Sequence, residues 1–194
     1  MADIENARRH SRQDVVRTAL ILLDGVGLPD LTMRRLAAAL DVQPSALYHH
    51  FPNKQALLAA VSDRIVAARP PGAASGDWTV DVRAAAAALR DALLAYRDGA
   101  EVVTSTLSMG LGADAAPRRL ADAVARGGFD EETTRRAATA LLHFVLGHVS
   151  HEQQRMQFDS LGVVADGVTD DGAQEFAFGV ELLVAGLRAR VPTR

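Results

Sequence analysis

With 194 residues, 48% of them apolar, the chain can form one large domain or two small ones around a sizeable core. The formal net charge of −3 excludes a global basic field for nucleic acid, although residues 1–60 hold seven Lys/Arg against six Asp/Glu and the remainder fourteen against eighteen, so a local basic end is possible. The absence of cysteine excludes disulfides, Fe–S clusters and thiol catalysis and fits a cytoplasmic protein. No apolar run approaches the ~20 residues that span a bilayer, and "MADIENARRHSRQ" lacks the apolar core of a signal peptide.

Helical periodicity dominates and no segment alternates as a strand, so the fold class is all-α. The first helix starts at Ser11, with Asp14 placed for a capping box, and buries Val15, Ala19, Leu22, Leu23 and Val26 before Gly25 and Gly27 end it. Thr32 caps the next helix, "MRRLAAAL", which turns Leu36, Ala37 and Leu40 inward. "DVQ" is a three-residue turn. Pro44 then suits the first turn of a third helix, with Leu47 and Phe51 on its inner face. "KQALLAAVSDRIVAA" is a longer amphipathic helix, and "RPPGAASGD" at 69–77 is a linker. Helices are expected near 79–97, 99–107, 116–127, 131–156 and 173–190, with 159–172 as a loop carrying at most a short helical piece. The division that follows is a DNA-binding unit at 1–54, a bridge helix at 54–69 and a ligand-binding and dimerisation unit at 70–194.

Two short helices joined by a tight turn and buttressed by a third make the plan of a helix-turn-helix, whose second helix enters the major groove. If Leu36, Ala37, Val42, Leu47 and Phe51 face inward, Gln43, Pro44, Ser45, Tyr48, His49 and His50 are left outside. Gln43, Ser45 and Tyr48 can hydrogen-bond bases or phosphates, and Pro44 can touch a thymine methyl. His49 and His50 can hold phosphate. Arg34 is expected to point toward DNA, and the helix starts at Thr32 and Lys54 offer N–H groups to phosphate. The plainer alternative for 31–54 is a packed helical hairpin.

"LTMRRLAAALDVQPSALYHHFPNKQALL" resembles the DNA-binding signature of TetR-family transcriptional repressors: Thr before the second helix, "LYHHF" closing the third and "NK-x-ALL" opening the fourth. Asp41 stands where the family usually has Gly, and Asp tolerates the left-handed conformation. The resemblance implies operator contacts at Thr32, Arg34, Gln43, Pro44, Ser45, Tyr48, His49 and Lys54.

Beyond the linker, Trp78, "YRDGAEVVTST", "LLHFVLGHVSHEQQ" and "EFAFGVELLVAGL" resemble the regulatory domain of the tetracycline repressors. The last helix is apolar nearly all round, with Phe178, Leu182, Ala185 and Gly186 on one side, which calls for a four-helix interface between two copies. Gly179 and Gly186 are small enough for close helix approach. A dimer would read a palindromic operator with recognition helices ~34–36 Å apart. The resemblance places the tetracycline and magnesium ligands at Pro70, Ala85, Val103 and His151, all changed residues, which implies a different effector. The remaining lining is Leu89, Val103, Leu107, Met109, Leu120 and Phe144 with Thr106 and His151 as polar contacts, suited to a small, mostly apolar molecule. His148, His151 and Glu152 share a helix face. They leave open a metal-sensing repressor or a metal-dependent hydrolase, against a solvated polar stripe. No cofactor, no enzymatic activity and no membrane partner are expected.

Overall fold

The structure, a computed structural model, describes residues 10–162 and 171–190. Among these residues it contains nine helices and no strand: α1 (Arg12–Val26), α2 (Met33–Ala39), α3 (Pro44–Tyr48), α4 (Lys54–Ala67), α5 (Trp78–Leu94), α6 (Gly99–Ser108), α7 (Ala115–Ala125), α8 (Glu131–Ser160) and α9 (Gly172–Arg188). The all-α architecture expected from periodicity is the one observed.

Local chemistry sets most boundaries. At the start of α1, the Ser11 hydroxyl accepts the Asp14 N–H at 3.2 Å while the Asp14 carboxylate accepts the Ser11 N–H at 2.8 Å, a reciprocal capping box. Asn53, Asp77 and Asp130 cap α4, α5 and α8 through their side-chain oxygens. Two ends differ most from the sequence expectation. Helix α5 stops at Leu94 and not at 97, because Asp98 is left-handed (φ 56) and turns the chain into α6. Helix α8 runs on to Ser160 and not 156, since no Gly or Pro falls between 156 and Gly162. The expected loop at 159–172 therefore begins later, and its residues 163–170 lie outside the described part.

Helices α1 to α4 enclose a small core in which Val15, Ala19, Leu23, Leu36, Leu47, Phe51 and Val61 are fully buried or nearly so. Truncating Phe51 to Ala here would cost about 3–5 kcal/mol. Helix α4 also packs on α6, and α5 packs on α7, α8 and α9, so α4 belongs to both halves of the molecule. Trp78 sets its ring edge-on to Phe129 at 5.2 Å, closing the far end of the body.

Candidate nucleic-acid interface

The side chains of α2 and α3 divide cleanly. Leu36, Ala37, Ala46 and Leu47 are buried, while Arg34, Gln43, Ser45, Tyr48 and His49 are exposed and Pro44, His50 and Lys54 are half-buried. Tyr48 in particular is 50% exposed, large for an aromatic on a helix of five residues. The turn between the helices depends on Asp41, whose φ of 54° is the left-handed value expected of it. The Val42 N–H returns to the Ala37 carbonyl at 3.0 Å. Thr32 is exposed, and its hydroxyl oxygen accepts the Arg35 N–H at 3.1 Å, so it caps α2 while keeping its own O–H free to donate. Arg35 is drawn aside to Asp30, 3.5 Å away, whereas Arg34 makes no ion pair among the described residues. At the head of α4, Asn53 takes the Ala56 N–H at 2.8 Å, leaving the N–H groups of Lys54 and Gln55 outward.

This surface is held to the body at two places. Along α4, Ser62 and Thr106 share a buried hydroxyl bond of 2.8 Å, Asp63 accepts the Ala113 N–H at 2.7 Å, and Arg119 donates to the Val66 carbonyl at 2.8 Å. At the end of α1, the buried Asp98 carboxylate accepts the Leu28 N–H at 2.7 Å through one oxygen and the Gln157 amide of α8 through the other. Gly27 (φ +80) allows this approach, since a Cβ there would sit 2.8 Å from the Asp98 carboxylate. The corner bearing Asp98 is fixed in turn by buried Gln153, which donates to the Leu93 and Tyr96 carbonyls and accepts the Ala100 N–H. Apart from Thr106, expected as an effector contact, none of these groups stood out in the sequence, because each acts on a residue 44 to 70 positions away.

The expected effector-pocket residues are packed to different degrees. Leu89, Val103, Thr106 and Leu120 are buried and Leu107 and Phe144 half-buried, but Met109 is 44% exposed and His151 is exposed as well. Phe144 stacks on Phe176 at 5.6 Å and lies against Gly179, so it fills the α8–α9 seam. Gly179 thus allows close packing of α9 on α8 within the protomer. The Thr106 hydroxyl is used by Ser62 and by the carbonyls of Val102 and Val103. A small cleft beside Leu89, Ala85 and Arg119 has room for about 10 Å³, near the minimum for one water.

The four positions implied for tetracycline and magnesium do not fit that pair: Val103 and Ala85 are buried and apolar, Pro70 is exposed, and His151 is a nitrogen ligand on an open surface. The expected His148/His151/Glu152 cluster is also divided. Glu152 is bound by Arg90 through two bonds of 2.5 and 3.2 Å, His148 bonds the Gly172 carbonyl at 3.2 Å and packs between Phe144 and Phe176, and His151 faces out. Among the described residues no three His, Asp or Glu are placed to hold a metal ion. The Arg90–Glu152 pair is largely buried, and removing one member would cost about 3–5 kcal/mol.

Helix α9 buries Phe176, Val180 and Val184 but leaves Phe178 66% and Leu182 58% exposed, so the apolar side opposite the protomer core is uncovered. No helix among the described residues is long and apolar enough to cross a membrane.

A recognition helix presented outward on a helix-turn-helix, clamped to a helical body with its own core, defines a DNA-binding transcriptional regulator. The family model for bacterial regulatory proteins of the tetR family matches residues 15–61, and that for the tetracyclin repressor-like C-terminal domain matches 70–161. The tetracycline repressor protein class C of Escherichia coli is 40% identical over 155 residues, 77% of this chain and 68% of that one. The crystal structure of Mycobacterium smegmatis BioQ superposes with a TM-score of 0.86 at 40% identity, covering 93% of this chain and 98% of that one. BioQ with its double-stranded DNA operator gives 0.79 at 38% identity, covering 92% and 98%. The chain belongs to the TetR family of bacterial regulatory proteins: helix-turn-helix repressors that bind operator DNA as dimers and respond to small-molecule effectors.

Proposed function

We propose that this protein is a dimeric repressor that binds a palindromic operator through Thr32, Arg34, Gln43, Pro44, Ser45, Tyr48, His49, His50 and Lys54, and that a small, mostly apolar effector other than magnesium–tetracycline releases it. The observation that carries this reading is α3 itself: a helix buried on one side whose other side shows Gln43, Ser45, Tyr48 and His49 to solvent. Support for the operator comes from BioQ, similar over nearly the whole chain and crystallised on its own operator. Support for the dimer comes from Phe178 and Leu182, whose exposure a second α8–α9 pair would remove. The chain then divides as a DNA-reading unit at 1–54, a bridge at 54–69 and an effector and dimerisation body at 70–194.

The mechanism follows from the two clamps. With Leu89, Val103 and Leu120 buried and Leu107 and Phe144 half-buried, an effector enters only by parting α5 to α8. Parting them displaces α6 and α7, and with them the partners of Ser62, Asp63 and Val66, so α4 swings and the two recognition helices leave the ~34–36 Å spacing of successive major grooves. Only an effector that binds the swung arrangement more tightly can release DNA.

An anisotropy titration with the DNA upstream of the protein's own gene tests the reading. Expected is binding that survives competitor DNA, weakens with salt and falls on adding an apolar effector. Binding that ignores sequence, or operator binding that no small molecule alters, would refute it.

A further inference from the structure

An open groove of about 870 Å³ lies outside the effector body, between α1 and α4, with Tyr96 among its lining residues. That is within the usual range of small-molecule sites, roughly 300–1,000 Å³, and far above the room beside Leu89. Its floor is apolar: Val16, Leu20, Ile21, Ala60 and Ala67, with Ile21 66% exposed. Its rim carries Arg12, Arg17 and Arg64 against Asp24 and Asp63, a net positive lining. Arg17 pairs with Asp14, Asp24 accepts the Arg97 N–H, and Asp63 accepts the Ala113 N–H. Two cations remain. Arg12 lies over the Phe51 ring at 4.5 Å, and Arg64 makes no ion pair among the described residues.

We propose that this groove is a second ligand site, distinct from the effector body, that takes a small amphipathic carboxylate: an apolar chain on the Ile21–Ala60 floor with its carboxylate on Arg64. An apolar floor with few, convergent and unused polar groups is the usual composition of a ligand site. An arginine fork can hold a carboxylate through two bonds. The groove follows α1 from Arg12 to Asp24, roughly 18 Å at 1.5 Å per residue, longer than an extended ten-carbon acid. Its walls are α1, the first helix of the DNA-reading unit, and α4, the bridge, and Tyr96 belongs to the corner that Gln153 fixes. A bound molecule therefore touches both sides of the joint at Asp98.

The probe is decanoate below its micellar concentration, titrated calorimetrically into the full-length protein, with decan-1-ol as the neutral control. Expected is one saturable site per protomer. R64Q should weaken decanoate about tenfold, the loss of one charge-assisted contact, and leave decan-1-ol unaffected. A60W should fill the floor and abolish both, with the melting temperature of each variant showing that it is folded. Absence of saturable binding, or decanoate binding unchanged in both variants, overturns the proposal, the second outcome placing the molecule elsewhere, the body included. None of these readouts uses DNA, so the operator reading stands or fails separately.

Discussion

The outward sides of α3 and α9 are both uncovered in the protomer, yet they are chemical opposites. Helix α3 shows Gln43, Ser45, Tyr48 and His49, while α9 shows Phe178 and Leu182. A polar side left open gains little from simple burial and is suited to hydrogen-bonding a polar partner in a fixed register. An apolar side gains from being covered, at roughly 25 cal/mol for each Å² removed from water, and a second copy of the same side is the partner always at hand. The contrast separates reading from assembly, and it can be broken one face at a time.

The largest effect should come from α9. Leu182→Arg places an unpaired charge at the centre of the apolar side, and the twofold doubles it. The expected result is a monomer by sedimentation, with operator binding at least a hundredfold weaker because half-sites are then held singly. A dimer that persists would show that α9 is not the seam. A smaller effect should come from α3. Tyr48→Ala and Gln43→Ala should each weaken operator binding by about 1–3 kcal/mol, roughly ten- to a hundredfold, with the dimer intact. Smaller still, Arg34→Gln should weaken all DNA sequences alike and lower the slope of log affinity against log salt by about one, since a phosphate contact carries no sequence information. A base-specific loss at Arg34 would move it from positioning to reading.

Both faces were legible before the fold because they rest on local rules. Thr32, Asp41 and Pro44 fix α2 and α3 through cap and turn chemistry within a few residues, and the all-round apolarity of α9 shows in its own composition. What joins the two halves was not legible. The spacing of His148, His151 and Glu152 puts three ligating groups near one another on a helix, but spacing does not reveal that Arg90, 62 positions earlier, has taken Glu152. Gln153 and Asp98 look like ordinary polar residues until packing brings the 93–100 corner to them. Apolar residues that close on one another and apolar residues that line a pocket read alike in sequence, so the closed interior around Val103 could not be foreseen.

The mildest test of the comparison is acid, which should act on the body that carries α9. Three aspartates there are held below their ordinary value. The Thr79 hydroxyl and N–H lower Asp77, the Ser75 N–H and Arg126 lower Asp81, and the Thr133 N–H lowers Asp130. Two of these carboxylates cap α5 and α8, the helices that frame the body. A carboxyl depressed in the folded state binds its proton more weakly there than in the unfolded chain. Its stabilisation is complete above the ordinary value near 4 and is lost as pH falls below it toward the depressed one. The melting temperature should therefore hold through neutral pH and drop below about pH 4. Asp130→Asn keeps a side-chain cap of similar quality without the ionisation. It should melt close to wild type at pH 6 and lose less on acidification, and a melting curve that parallels wild type down to pH 3 would remove Asp130 from the acid response.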